Sequence, residues 1–386
     1  MKSWKICWIS ALLLATTVAT AQRAGVVSGK LPQLAFSNGT DRLGSAKAGY
    51  LDTGIVVRVA DSANGLYILQ LSRQRQAYLS KEFIQWRGDS LPQQPALMEA
   101  WSVRGGSKYD TVSIGLSRKV VYSSWMETAP ATIVVELYDV QSNTNWITQL
   151  SSAKGIADVS WRQTETDVVQ VRIQLAQAQH LGYRIAYVGK YLQLIITRRP
   201  ARPRLHDLTV AIDAGHGGSN TGARGAKSGV LEKDYTLLFA KALNKLLQKK
   251  GVKTIMIRDS DTAIDNKDRL LMLQPLQPNV LISFHLNSSS RSTARGTSTY
   301  YRHMAFRPLT QHILSQLLEI EGLPEFGNIG SFNFQLVQPT DYPSCLIEVA
   351  FLSNEEDEQL ILNEHFREKL VHKVYEGLLH WVKSLK

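Results

Sequence analysis

Leu208-Thr209-Val210-Ala211-Ile212 runs directly into Asp213-Ala214-Gly215-His216-Gly217-Gly218. The first five residues predict a buried strand, and the glycine-rich hexad ends it abruptly. Residues 231–250 then carry Leu231, Tyr235, Leu238, Ala242 and Leu246 at helical spacing. Lys249 and Lys250 fall at the negative end of that helix dipole, and Gly251 sits where a C-terminal cap favours glycine. Residues 252–257 predict the next strand. Asp265 is placed to cap a short helix running through Leu273, with Pro275 as its stop. Strands are predicted at 280–284, 298–301, 334–337 and 346–349, a helix at 309–319, and two more helices at the C-terminus. Alternation of this kind predicts an α/β domain with a mostly parallel mixed sheet over residues 207–386.

Ionisable residues collect at the strand ends of this domain. His216 follows the first strand, His285 follows the strand at 280–284, and Glu348 lies near the end of the strand that begins at Cys345. Open α/β sheets bind ligands at the carboxyl ends of their strands. Glu232 opens the long helix, where a carboxylate is electrostatically favoured. Two neutral imidazoles and one carboxylate are a common ligand set for catalytic zinc. Each residue alone also has an ordinary structural reading, as a hydrogen-bonded loop histidine or a helix-start carboxylate.

Four motifs appear in order: Asp213-Ala-Gly-His216-Gly-Gly, Leu231-Glu232-Lys-Asp-Tyr-Thr-Leu237, Ser283-Phe-His285-Leu-Asn287 and Glu348-Val-Ala-Phe351-Leu-Ser353-Asn354. Together they closely resemble the zinc-dependent N-acetylmuramoyl-L-alanine amidase family, of the Amidase_3 type. The resemblance implies that His216, Glu232 and His285 bind Zn2+ and that Glu348 is the catalytic acid/base. It implies hydrolysis of the peptidoglycan amide bond between N-acetylmuramic acid and L-alanine of the stem peptide. Arg258 and Arg269 match arginines usual in the family, with no role assigned. Ala214, Leu286 and Ala350 stand where the family often has proline, alanine and glycine, which bears on substrate fit. Some relatives carry a long insertion with a helix that plugs the site. Residues 287–333 hold little beyond a strand and a helix, so an open site active without an activator protein is expected. Two other readings stay open: a zinc peptidase of related fold cutting within peptides, and a non-catalytic wall-binding protein or activator.

Upstream, the pattern is all β. In residues 22–96, Ile55, Val57 and Val59 alternate, Asn64-Gly65 is a hairpin turn signal, and Leu69 and Leu71 resume the alternation. These runs resemble a bacterial SH3-like barrel. Residues 97–199 carry candidate strands at 112–116, 132–137, 168–175 and 191–196, with Val169, Val171, Ile173 and Leu175 alternating. A β-sandwich is expected, similar to the AMIN-type domain ahead of some cell-wall amidases, or an unrelated sandwich. Arg198-Arg199-Pro200-Ala201-Arg202-Pro203-Arg204 continues neither strand nor helix, and a linker is placed at 200–206.

Residues 1–21 have the layout of a cleavable export signal: Lys2 and Lys5, an apolar run from Ile6, then Ala19-Thr20-Ala21. The run is too short to span a membrane, so no transmembrane segment is expected in the mature chain. Export places the protein in the periplasm, with the extracellular wall as the alternative. Cleavage leaves Cys345 as the only cysteine, which excludes an internal disulfide. The 386 residues are 44% hydrophobic and 20% charged, a composition that excludes disorder. The net charge of +11 asks for an anionic partner. Residues 22–203 hold 21 basic and 13 acidic side chains, against 21 and 20 in residues 204–386. The excess therefore lies on the β-rich half, which points to an anionic envelope polymer, and export argues against nucleic acid. His303 and His312 are expected at the surface or behind the site. His365, His372 and His380 are expected on C-terminal helices, Cys345 as a buried thiol, and Glu355-Glu356-Asp357-Glu358 as the acidic first turn of a helix.

Overall fold

The computed structural model describes residues 22–39, 44–88 and 91–385. The export signal expected at 1–21 lies outside them. Among the described residues, no helix is long and apolar enough to cross a membrane.

The C-terminal unit is built on a six-stranded mixed sheet. Its elements in chain order are β1 (Thr209–Ala214), α1 (Glu232–Lys249), β2 (Lys253–Met256), α2 (Asn266–Leu276), β3 (Val280–Asn287), β4 (Thr297–Tyr300), α3 (Arg307–Leu317), β5 (Glu325–Ile329), β6 (Ser344–Phe351), α4 (Glu355–Leu362) and α5 (Glu364–Ser384). The strands lie in the order β2-β1-β3-β6-β4-β5. β2, β1, β3 and β6 are mutually parallel, β4 is antiparallel to β6, and β5 is parallel to β4. One face of the sheet presents Val210, Ile212, Ile282, Phe284, Ile347 and Val349 to α1, α3 and α5. Phe239 of α1 stacks on Phe284 at 6.0 Å and meets Phe366 of α5 edge-on at 6.5 Å. This packing fixes the helix that begins at Glu232 against the strand that ends beyond His285. On the opposite face, Ala211 and Leu281 meet Leu270 and Leu273 of α2, together with Leu31 and Tyr50 from the first β-rich unit.

Several local expectations need correction. Pro275 does not stop α2, which runs through Leu276. Pro275 lies in the last turn, so it forgoes the bond to Leu271 O but leaves no further turn for its ring to disrupt. The stop is Gln277, which takes the left-handed conformation at φ 44° and returns its N–H to Leu273 O. Asp265 holds the N-cap position, but its side chain makes no cap hydrogen bond. Residues 335–337 form a 3-10 turn, Gln335–Val337, and not a strand. β5, of sequence Glu-Phe-Gly-Asn-Ile, had no alternation to reveal it.

Residues 22–86 form one antiparallel seven-stranded sheet, Arg23–Val27 to Ile84–Trp86, around Val27, Ile55, Val57, Leu69 and Leu79. Its Asn64-Gly65 turn has both residues at positive φ, 51° and 78°, the requirement of a type I′ hairpin. Residues 96–197 form two sheets over a shared core. One carries Tyr122–Thr128, Ala131–Tyr138, Val168–Leu175 and Ile156–Glu165. The other is centred on Ala96–Gly105, Tyr109–Leu116 and Tyr191–Thr197. Met98, Val112 and Ile114 face Ile133, Val135 and Val171 across that core, and Ala305 and Phe306 of the C-terminal unit enter it.

The units join through buried polar contacts as well. Tyr183 N donates to Thr340 O at 2.8 Å, and Thr340 Oγ1 donates back to Tyr183 O at 2.9 Å. Gly182, at φ 103°, passes so close that a Cβ would lie 2.1 Å from Asp341 O. Nearby, His303 Nε2 meets Gln338 O at 2.9 Å, and burial pushes its imidazole down to about 4. His303 is therefore part of the junction, not the surface. Between pH about 6.5 and about 4 the unfolded chain holds a proton on this histidine that the folded chain refuses. Its contribution to stability must fall over that range as pH drops, by on the order of 2 kcal/mol. Asp341, pushed up to about 6 by burial, acts in the opposite sense. The difference between the parent and His303→Gln, followed by thermal denaturation from pH 7 to pH 4, is expected to isolate the histidine: the parent should lose more stability than the variant.

Candidate metal centre

The carboxylate of Glu232 is only 3% exposed, and burial of a charged group demands partners. Four groups supply them. Oε2 accepts from Ala223 N at 2.7 Å, and Oε1 from Leu286 N at 2.9 Å. Oε1 also lies 3.0 Å from His216 Nε2 and 3.1 Å from His285 Nδ1. Burial alone would raise this carboxyl, but the two imidazoles outweigh it and hold Glu232 far below the ordinary carboxylate range. In turn the Glu232 carboxylate overcomes the burial that would depress His285, and raises it.

The three side chains arrive from different elements: the loop after β1, the first residue of α1, and β3. Their nearest ligand atoms all lie within 4.8 Å of one another. The two imidazole rings meet edge-on at 5.0 Å. His216 Nδ1 faces Asn220 Oδ1 at 2.8 Å. A carbonyl oxygen accepts, so Nδ1 carries a proton; Nε2, which donates to Glu232, would give up its own proton and turn its lone pair to a bound metal. The donor set and its convergence fit a divalent metal ion.

Close packing explains the glycines. A Cβ on Gly215 would lie 2.4 Å from His285 Cε1. One on Gly222, at φ 67°, would lie 2.4 Å from Glu232 Oε2 and 2.7 Å from His216 Cδ2. His216 itself sits at φ 63°, an uncommon conformation for a non-glycine residue, which needs outside support. The two arginines with no assigned role provide it. Arg269 pairs with the buried Asp213 and donates to Ala214 O at 2.7 Å and His216 O at 2.5 Å. Arg258 donates to Ala214 O at 2.8 Å, Gly215 O at 2.9 Å and Lys233 O at 2.8 Å. Ser283 Oγ completes Asp213 at 2.6 Å. Two guanidiniums thus saturate the carbonyls of the His216 loop from below.

Glu348, partly buried on β6, is the register partner of His285 across the β3–β6 ladder. Its charge is among those that raise His285. The aromatic ring of Phe334 stands 5.5 Å from His285 on the same side. His303, His312, His365, His372 and His380 do not join the cluster, and the last three are exposed. Cys345 is a buried free thiol, raised by burial and unsuited to nucleophilic work. Asn220, Asp213, Ser283 and Phe334 were not singled out from sequence. Asn220 lies in a Gly-Ser-Asn-Thr-Gly run that reads as an ordinary turn.

Residues 210–380 match the family described as N-acetylmuramoyl-L-alanine amidase. A probable cell wall amidase of Staphylococcus aureus, LytH, is 30% identical over 190 residues, covering 48% of this chain and 62% of the relative. The chain thus spans less than two thirds of the length of the curated relatives it matches. Among solved structures, an N-acetylmuramoyl-L-alanine amidase from Clostridium difficile 630 is 33% identical, with 46% of this chain and 98% of that one covered and a TM-score of 0.44. The CwlD amidase from Clostridioides difficile, in complex with the GerS lipoprotein, is 26% identical over 46% of this chain and 99% of that one, with a TM-score of 0.43.

If Asn220 fixes the His216 tautomer, Asn220→Ala should weaken zinc binding by about 10–100-fold in chelator competition. Asn220→Asp, which keeps an acceptor, should lose less; equal losses would refute the tautomer argument.

Proposed function

We propose that the chain, whose residues 210–380 match the N-acetylmuramoyl-L-alanine amidase family of the Amidase_3 type, hydrolyses the bond between the lactyl group of N-acetylmuramic acid and L-alanine in peptidoglycan. The observation that carries this is the convergence of His216, Glu232 and His285 beside Glu348 at one sheet edge. His216 Nε2, His285 Nδ1 and a Glu232 oxygen would hold a zinc ion. Zinc there supplies Lewis-acid polarisation of the scissile carbonyl and makes water acidic enough to attack at neutral pH. The chain's own residues do the rest. Glu348 takes the proton from the attacking water on a carboxylate oxygen and returns it to the departing alanine nitrogen. Asn220 keeps His216 oriented, and Arg258 and Arg269 keep the loop carbonyls turned away from the centre. Ser283 and Asp213 form the buried base on which that loop rests.

We further propose that the site works unaided. Between Asn287 and Asn333 the described residues form β4, a 3-10 turn, α3 and β5, and α3 packs on β4 and α5 away from His285. The seven-stranded unit is proposed as SH3-like and the double sheet as AMIN-like, delivered to the envelope by an export signal at 1–21. Their positive balance, 21 basic against 13 acidic residues over 22–203, would draw them to an anionic envelope polymer.

Mass spectrometry of purified peptidoglycan after incubation with zinc-loaded protein should show free stem peptides beginning at L-alanine; new termini inside the peptides would favour a peptidase instead. A chelator should abolish release. Glu348→Ala should retain zinc and lose about 10²–10⁴-fold in kcat, the usual worth of a positioned acid/base. Sacculus binding by the Glu348→Ala chain should weaken steadily between low salt and about 0.5 M NaCl, as screened attraction requires; binding indifferent to salt would rule the electrostatic role out.

A further inference from the structure

The loop between β5 and the 3-10 turn at Gln335–Val337 carries Ser331, Phe332, Asn333 and Phe334. Phe334 stands edge-on to His285. Phe332 stacks against Phe334 with centroids 6.1 Å apart and meets Tyr300 at 4.5 Å. These aromatics form a wall beside the sheet edge that bears His285 and Glu348. No sheet ladder holds the loop, and Ser331 takes φ 55°, a strained conformation for a non-glycine residue that persists only where its surroundings enforce it.

The enforcement comes from another part of the chain. Asn333 Nδ2 donates to Ser45 O at 2.8 Å and to Gly44 O at 3.3 Å, both in the seven-stranded unit. Lys47 of that unit donates back from Nζ to Asn333 O at 2.7 Å. Arg302 closes the circuit, donating to Ser331 O at 3.1 Å and to Lys47 O at 2.9 Å. Asn333 is thus tied through both its amide and its carbonyl, and its neighbour in sequence is the residue that faces His285.

We propose that the first β-rich unit is a working part of the cleft: through Lys47, Asn333 and Arg302 it positions the Phe332–Phe334 wall, against which the apolar flank of a muramyl-L-alanyl group rests. This deepens the proposed function and rests on it for the identity of the ligand. Lys47, Asn333 and Arg302 are positioning residues, since they act through the wall and not on the reacting atoms. The chemistry suits the ligand, because an aromatic face can pack on the C–H face of a saccharide ring or on an alanyl methyl without spending a hydrogen bond.

The test uses the full chain with Asn333→Ala, Lys47→Met and, as the conservative replacement, Lys47→Arg. Binding of a soluble muramyl tripeptide is measured by calorimetry in the Glu348→Ala background, and KM and kcat are measured in the active chain. Losing one or two hydrogen bonds from the clamp should raise Kd and KM about 3–20-fold, with kcat within about twofold and zinc content unchanged. Lys47→Arg should recover most of the affinity. Amide exchange at residues 331–334 should quicken in Asn333→Ala and Lys47→Met while β3 and β6 stay protected. Unchanged Kd and KM, or unchanged exchange at 331–334, would overturn the proposal, as would a fall in melting temperature with no effect on either constant. A parent chain that binds no muramyl peptide fails the functional reading instead, and exchange at 331–334 then decides the buttress by itself.

Discussion

A carboxylate that is 3% exposed is the constraint around which the C-terminal unit is arranged. Taking Glu232 out of water costs several kcal/mol unless its oxygens are filled. Backbone N–H groups of Ala223 and Leu286 fill part of the demand and two imidazoles fill the rest. Those four partners come from the β1–α1 loop and the end of β3, so satisfying one side chain at the start of α1 brings three segments to one point. The same point needs two glycines, because any Cβ at 215 or 222 would collide with a ligand side chain. α1 also begins there without a side-chain cap, and its first-turn carboxylates Glu232 and Asp234 sit at the positive end of its dipole.

Positive φ at His216, Gly217 and Gly218 turns the β1 loop carbonyls into the interior, where they require donors. Arg258 and Arg269 supply them, and their charge is balanced chiefly by Asp213, itself 1% exposed. A guanidinium suits this work better than an ammonium, since its planar fork reaches several carbonyls at fixed angles. The arrangement also keeps both positive charges behind the loop.

The candidate ligands were legible because strand ends are legible: an apolar run followed by glycine and histidine says where the chain leaves the sheet. His216, Glu232 and His285 lie together in the structure, with Glu348 on the neighbouring strand. What holds them was not legible. Asn220 looks like any turn asparagine, and the value of Arg258 and Arg269 lies in contacts with backbone carbonyls that no side-chain pattern announces. The acidic run at 355–358 shows a similar limit. It does open α4, under an Asn354 cap, but Asp357 and Glu358 are fully buried. Asp357 receives Gly296 N and Phe351 N, and Glu358 receives Lys227 N and Ser228 N. Half of what reads as a solvated charge cluster is thus internal mortar between loops distant in sequence. β5 escaped for the opposite reason, being short and without alternation.

The positive balance of the β-rich half and the clamp at Asn333 act on different length scales. At physiological ionic strength attraction fades over about 8 Å, so net charge can gather the protein near an anionic surface but cannot fix an orientation. Internal pairs such as Arg172 with Glu127 remove one acidic and one basic group together and leave the excess unchanged. The junction works at hydrogen-bond range. Phe306 enters the core of the double sheet, Thr340 and Tyr183 exchange backbone-directed bonds, and Lys47 donates to Asn333 O while Asn333 donates to Ser45 O. Three separate contacts of this kind resist both sliding and rotation, which a single contact could not do. A front half that only tethered the C-terminal unit would need none of them, and a flexible arginine–proline link would be enough. Their presence argues that orientation between the β-rich units and the sheet edge at Glu348 is something the sequence has been built to preserve.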